Sequence, residues 1–183
     1  MSLCHEMNSS LWSQTHDGFR FDETHLPHIS LVQQYVQQAA LRDIVSVITS
    51  TVAATQALSL SATHTGSATI DGGLTVSGLE FGTSPELLRL HQSLMTALEP
   101  FVSTGDETAW YRDLGEHIRP GSLRWLKNYR RPNRQFHPHI TLGVGPAPTL
   151  NQPLRFTVDR LALCHLGNFN TCRKILDEWR LKP

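Results

Sequence analysis

Apolar and polar positions repeat along this chain with two different periods, and the switches between them outline the elements. The run 28–36, His-Ile-Ser-Leu-Val-Gln-Gln-Tyr-Val, is β-prone and partly alternating, which predicts a strand. Between Ala39 and Ala54, residues Leu41, Ile44, Val45, Val47, Ile48 and Val52 share one helical face. Strands are predicted at 58–63 and 67–71, a hairpin turn at Asp71-Gly72-Gly73, and a return strand at 74–81. Ser84-Pro85-Glu86 supplies an N-cap hydroxyl and a first-turn proline for a second helix. Its stripe is Leu87, Leu88, Leu90, Leu94, Met95 and Leu98, and Pro100 stops it. A shorter helix is expected over 122–130, then strands at 139–144, 154–165 and 173–181, the last two as an antiparallel pair. Residues 1–27 read as irregular, broken by Gly18, Asp22 and Pro27, with only 18–21 resembling a strand. No linker or low-complexity run divides the sequence. The order predicts one α+β domain, 1–183, with 1–24 as its lead-in.

Composition narrows the class. A chain of 183 residues with 39% hydrophobic and 17% charged side chains builds a core rather than staying disordered. Its longest uncharged stretch, 44–70, is broken by Ser, Thr, Gln and His, so no membrane span is expected. The N-terminal ten residues lack the basic and apolar regions of a secretory signal. The three cysteines, Cys4, Cys164 and Cys172, are odd in number and form no Cys-x-x-Cys pair, which predicts free thiols in a reducing cytoplasm.

The formal net charge of zero conceals a division. Residues 1–118 carry four basic and thirteen acidic side chains, residues 119–183 twelve basic and three acidic. Between Glu116 and Asp159 there is no carboxylate, while Arg119, Arg124, Lys127, Arg130, Arg131, Arg134 and Arg155 all fall there. Such a stretch either attracts phosphate-bearing ligands or meets the acidic half of its own fold.

The chemistry centres on a repeated pentapeptide. Pro27-His28-Ile29-Ser30-Leu31 and Pro138-His139-Ile140-Thr141-Leu142 share the pattern Pro-His-Ile-(Ser/Thr)-Leu. In a strand, residues i and i+2 project from one face, so each copy would offer an imidazole and a hydroxyl to the same side. Two copies imply two halves, each contributing one such strand to a shared cleft. In-line cleavage of a phosphodiester needs a base on the attacking oxygen and an acid on the leaving oxygen. Imidazole, with an ordinary pKa near 6.5, serves either role near neutrality. Hydroxyl donors beside the rings would hold the non-bridging oxygens.

The paired segments resemble the two His-x-(Ser/Thr) signatures of the 2H phosphoesterase superfamily, which includes 2′-5′ RNA ligase-like proteins and cyclic nucleotide phosphodiesterases. The stretches Arg160-Leu-Ala-Leu-Cys164-His165 and Lys174-Ile-Leu-Asp-Glu-Trp179 also resemble that group's closing hairpin. The resemblance implies a bilobal α+β fold, two antiparallel sheet lobes with outer helices around a central cleft. It implies a phosphodiesterase without metal or other cofactor, with His28 and His139 as the acid–base pair and Ser30 and Thr141 as phosphate-binding hydroxyls. The substrate expected is a 2′,3′-cyclic or 2′-5′-linked phosphodiester of a nucleotide or RNA end, handled by a cytoplasmic monomer. Members usually open with an apolar strand, for which Phe19 and Phe21 are a feeble counterpart here.

Outside the signatures, Phe136 is a candidate for stacking on a base, and Arg130, Arg131 and Arg134 for meeting further phosphates. Two other readings stay open at this point. His25, His28, His137 and His139 could ligate zinc, although no familiar spacing completes that set. The domain could also bind RNA without turnover.

Overall fold

The first element lies where the sequence predicted none. In the computed structural model, which describes residues 2–70, 72–132 and 134–183, the lead-in opens with helix α1, Ser2–Thr15. Its inward stripe is Cys4, Met7, Asn8 and Leu11, all buried. That spacing is helical, but a polar residue occupies one core position and only three apolar ones remain, so the periodicity is faint. Asn8 belongs there because its amide is fully engaged. Its Nδ2 donates to the carbonyls of Phe19 (2.9 Å) and Leu142 (2.8 Å), and its Oδ1 accepts from Phe21 N–H at 2.7 Å. Residues 18–21 are thus pinned by a side chain and form no strand.

The main core follows the predicted stripes. Helix α2, Leu41–Val52, buries Ile44, Ile48 and Val52 behind a short 3₁₀ turn at Gln38–Ala40. Strand β1, Leu58–Thr69, is continuous where two strands were expected, with a register shift between Ala62 and His64. The β1–β2 connection uses Gly72 and Gly73 at φ +83° and +76°. Gly73 N–H donates to Ile70 O, and Ile70 N–H to Leu74 O. Asp71, also placed in this turn by the sequence, lies outside the described residues. Strand β2 is Thr75–Phe81, and helix α3, Pro85–Ala97, starts with Ser84 Oγ accepting from Leu87 N–H. Helix α4 spans Pro120–Asn128 and strand β3 His139–Val144, as predicted for the latter. The expected strand at 154–165 is two: β4, Leu154–Val158, and β5, Arg160–Leu166, interrupted at Asp159. Strand β6 is Cys172–Arg180.

These strands form an antiparallel four-stranded sheet in the order β3-β2-β1-β4 and a separate β5–β6 ladder. One face of the large sheet packs Leu58, Leu60, Ala62, Leu79, Phe81, Ile140 and Leu142 against α2 and α3. Helix α1 covers β3, approaching so closely that a Cβ on Gly145 (φ +130°) would sit 2.9 Å from Leu11. A second cluster, Trp110, Ile118 and Leu126, joins α4 to the β5–β6 side through Leu166. The fold is α+β, with a curled antiparallel sheet and four α-helices among the described residues. None of those helices is long and apolar enough to cross a membrane.

Two further expectations fail. Residues 28–34 form no strand; only single bridges, Leu26 to Cys172 and Tyr35 to Ser103, touch the expected run and its approach. Local β propensity found no neighbouring edge to pair with. The cysteines are not all free: Cys164 and Cys172 are disulfide-bonded at a Cα–Cα distance of 5.5 Å, leaving Cys4 as the buried thiol. The pair lies eight positions apart in sequence, but the turn after β5 returns β6 alongside it.

Candidate active site

The second pentapeptide is built by the sheet. On β3, Ile140 and Leu142 enter the core, so His139 and Thr141 project from the opposite face. Gly78 of β2 leaves room there; a Cβ on it would come within 3.7 Å of His139 Cδ2. The next residue on that face, Glu80, lies opposite His139 in the ladder. Its Oε2 is 3.1 Å from His137 Nε2, an ion pair whenever His137 is protonated. His139 turns its Nδ1 back across the buried Pro138 to the carbonyl of His137, at 2.9 Å. A carbonyl only accepts, so Nδ1 carries the hydrogen and Nε2 is the nitrogen left for chemistry.

The first pentapeptide repeats this detail without a strand. His28 Nδ1 meets the carbonyl of Leu26, again two residues back across a proline, at 2.8 Å. The segment is held by its neighbours instead of a ladder. Leu26 N–H donates to Cys172 O, and Leu31 O accepts from both His91 Nδ1 (2.7 Å) and the Tyr129 hydroxyl (3.0 Å). Burial holds the His28 imidazole below its ordinary pKa, against the opposing pull of hydrogen bonds to Leu26 and the Asn170 backbone. The charge of His139 acts in the same direction as burial, so the two rings, 111 residues apart in sequence, lie within electrostatic reach. Asn170 sits in a turn where it and Phe169 both adopt left-handed backbone, φ +54° and +57°.

One indole spans the space between the copies. Trp125, on α4 and 41% exposed, lies edge-on to His139 at 6.4 Å between ring centroids. Its Nε1–H donates to Gln33 Oε1 at 2.8 Å, and Gln33 Nε2 donates to Ser30 Oγ at 2.9 Å. Arg134 lays its guanidinium over the rings of Trp125 and Tyr129, 4.5 and 4.1 Å from their centroids. Ser30, Gln33, Trp125, Arg134 and His139 are thus joined by contacts, with Thr141 two residues along β3 from His139.

Phe136 and Arg130 are engaged elsewhere. Phe136 stacks on His91 at 4.0 Å, nearly parallel, so one of its faces is covered. Arg130 pairs with Glu99 and also reaches Gln34 and the Met95 carbonyl. The basic stretch is divided in the same way. Arg119 meets Asp17 at 2.7 Å, and the later Arg173 meets Asp113 and Glu116, joining the cationic half to the acidic half. Of the four imidazoles considered for zinc, His25 turns to Asp22 and His137 to Glu80. Among the described residues no three His, Cys, Asp or Glu side chains converge as a metal would require. Sequence reasoning missed Gln33, Trp125 and Glu80. Only the exposed tryptophan on an amphipathic helix carried a signal, and that pattern more often marks packing. A surface recess lined by Thr15, Gly72, Gly73, Val144 and Gly145 lies at the other end of β2 and β3 from His139.

With this geometry in place, comparison with known proteins decides the family. The sequence profile of the 2′-5′ RNA ligase superfamily matches residues 9–168, most of the chain and both histidine segments. The chain belongs to the 2′-5′ RNA ligase superfamily. Among solved structures, TT0787 of Thermus thermophilus is 17% identical with a TM-score of 0.51, covering 97% of this chain and 92% of that one. This likeness shows a shared fold. Escherichia coli LigT, solved with 3′-AMP, is also 17% identical, covering 98% of this chain and 93% of its own, at a TM-score of 0.47. No curated protein matches the sequence. The 2′-5′ RNA ligase superfamily match ends at Asn168, two residues before Asn170, which contacts His28, so β6 and the disulfide's second half lie beyond it.

Proposed function

We propose that this chain is a monomeric phosphodiesterase that cleaves 2′,3′-cyclic or 2′-5′-linked phosphodiesters of nucleotides or RNA ends with two histidines. The observation that carries the reading is the repeated anchoring of Nδ1 on the carbonyl two residues back, in both His28 and His139. In this reading the two imidazoles exchange the protons, with Nε2 of His139 the nitrogen that its anchored Nδ1 leaves open. His28, whose pKa burial lowers, takes the proton of the attacking water, and His139 gives one to the departing ribose oxygen. Ser30 and Thr141 donate to the non-bridging oxygens, and Arg134 balances the remaining negative charge. Protons and charge stabilisation thus both come from side chains.

The test is a screen of 2′,3′-cyclic mononucleotides, ADP-ribose cyclic phosphate and 2′-5′ dinucleotides in excess EDTA, reading which phosphate isomer forms. Turnover of at least one class, abolished in His139→Ala, is expected. Activity lost to EDTA and restored by zinc would overturn the two-histidine mechanism. Salt-sensitive oligonucleotide binding without turnover would instead indicate an RNA-binding module.

A further inference from the structure

We infer that Gln33 and Trp125 are positioning residues that aim the hydrogen of the Ser30 hydroxyl at the phosphate. The inference rests on the phosphodiesterase reading above and follows from hydrogen-bond direction. An indole Nε1–H can only donate, so the atom of Gln33 facing Trp125 at 2.8 Å must be the amide oxygen. The other end of that amide is then Nε2, a donor, and it meets Ser30 Oγ at 2.9 Å. Ser30 accepts there, which leaves its own O–H free to donate elsewhere. Gln33 is only 5% exposed, so water does not compete for either end of the amide. The relay Trp125 to Gln33 to Ser30 therefore has one polarity, and it ends in a donor, the Ser30 hydroxyl. The same indole lies edge-on to His139 and beneath Arg134, so it also sets the spacing between the hydroxyl of one copy and the imidazole of the other.

Two substitutions separate this from simple packing. Gln33→Leu keeps the volume and removes the relay. Gln33→Glu keeps the acceptor for Trp125 but replaces the donor to Ser30 with an acceptor, so the serine hydrogen turns to the carboxylate and away from phosphate. Kinetics with adenosine 2′,3′-cyclic phosphate should show kcat/KM lower by about tenfold in Gln33→Leu and by more in Gln33→Glu, mostly in kcat. In a Ser30→Ala background, Gln33→Leu should add no further loss, because the hydroxyl it aims is gone. Trp125→Phe, which keeps the ring against His139, should behave like Gln33→Leu and be equally silent without Ser30. An equal loss with and without Ser30 would overturn the inference. If the parent turns over another phosphodiester of the screen but not this one, the same comparison is made on that substrate; if it turns over none, the phosphodiesterase reading has failed, and calorimetric titration with inorganic phosphate tests the relay by itself. Phosphate affinity should fall in Gln33→Leu when Ser30 is present and be unaffected by that change in Ser30→Ala; no fall in the presence of Ser30 would refute it.

Discussion

Around His139 the chain is a strand, while around His28 it is irregular; both carry the same five-residue pattern, and both rings hold a carbonyl two residues back. The His139 copy draws its order from β2, through main-chain hydrogen bonds independent of side-chain identity. The His28 copy is held by particular groups: Cys172 O on Leu26, and His91 and Tyr129 on Leu31. Proline before histidine, followed by Ile-(Ser/Thr)-Leu, thus orients an imidazole without fixing the secondary structure around it. The cost of the second solution is dependence on distant contacts, and the consequences can be measured.

The largest effect should come from the rings themselves. His28→Ala and His139→Ala should each lower kcat/KM by roughly 10²–10⁴-fold on the responsive substrate. If His28 is the base, its depressed pKa places the acidic limb of the kcat/KM profile below pH 6.5, and that limb should vanish in His28→Ala. A limb that persists would exchange the two roles.

Removing the disulfide with Cys164→Ser and Cys172→Ser should cost about 2.5 kcal/mol of unfolding free energy, from the short loop it closes. Because Cys172 also supports Leu26, amide exchange should accelerate around His28 and hardly change along β3. Equal acceleration in both copies would remove the distinction drawn between them.

Thr141→Ala deletes one donor on the sheet-built side and should reduce kcat/KM by about 10- to 100-fold, the range for a hydrogen bond to a charged group. Its effect should be independent of Gln33, unlike that of Ser30. Tyr129→Phe removes one of two donors on Leu31 O and should lower stability by about 1 kcal/mol, seen as a shifted denaturant midpoint with unchanged slope.

Acid should weaken the protein through the side-held copy. Burial depresses the pKa values of both His28 and His91, so below pH 6.5 the unfolded chain binds protons that the folded chain does not. The stability they contribute is complete above pH 6.5 and is lost as pH falls from there through their folded values. A Tm that stays level from pH 7 to 5, or that falls equally in a His28→Ala, His91→Ala double variant, would contradict this.

Where an element's own side chains decide it, the sequence was a sufficient guide. The apolar stripes of α2 and α3, the glycine turn at Gly72 and Gly73, and β3 from His139 to Val144 were all legible from period and turn chemistry. The repetition of the pentapeptide was legible too, because it is a property of order along the chain. Helix α1 was hidden because Asn8 fills a core position only when the carbonyls of Phe19 and Leu142 and the N–H of Phe21 come to meet it. The break at Asp159, which sends β4 and β5 to different sheets, leaves no mark on hydrophobicity.

The sequence by itself determined which groups the repeat carries: two imidazoles, two hydroxyls and, in the second copy, the apolar neighbours that turn them outward on a strand. Tertiary structure alone decided that desolvation lowers the pKa of the first imidazole, that Arg130 is drawn to Glu99 while Arg134 lies on Trp125, and that Ser30 is reached through Gln33. Periodicity reports the face a residue presents to its own element. Desolvation and hydrogen-bond direction depend on what other elements bring to that face, and those partners lie up to 92 residues away for Gln33 and Trp125.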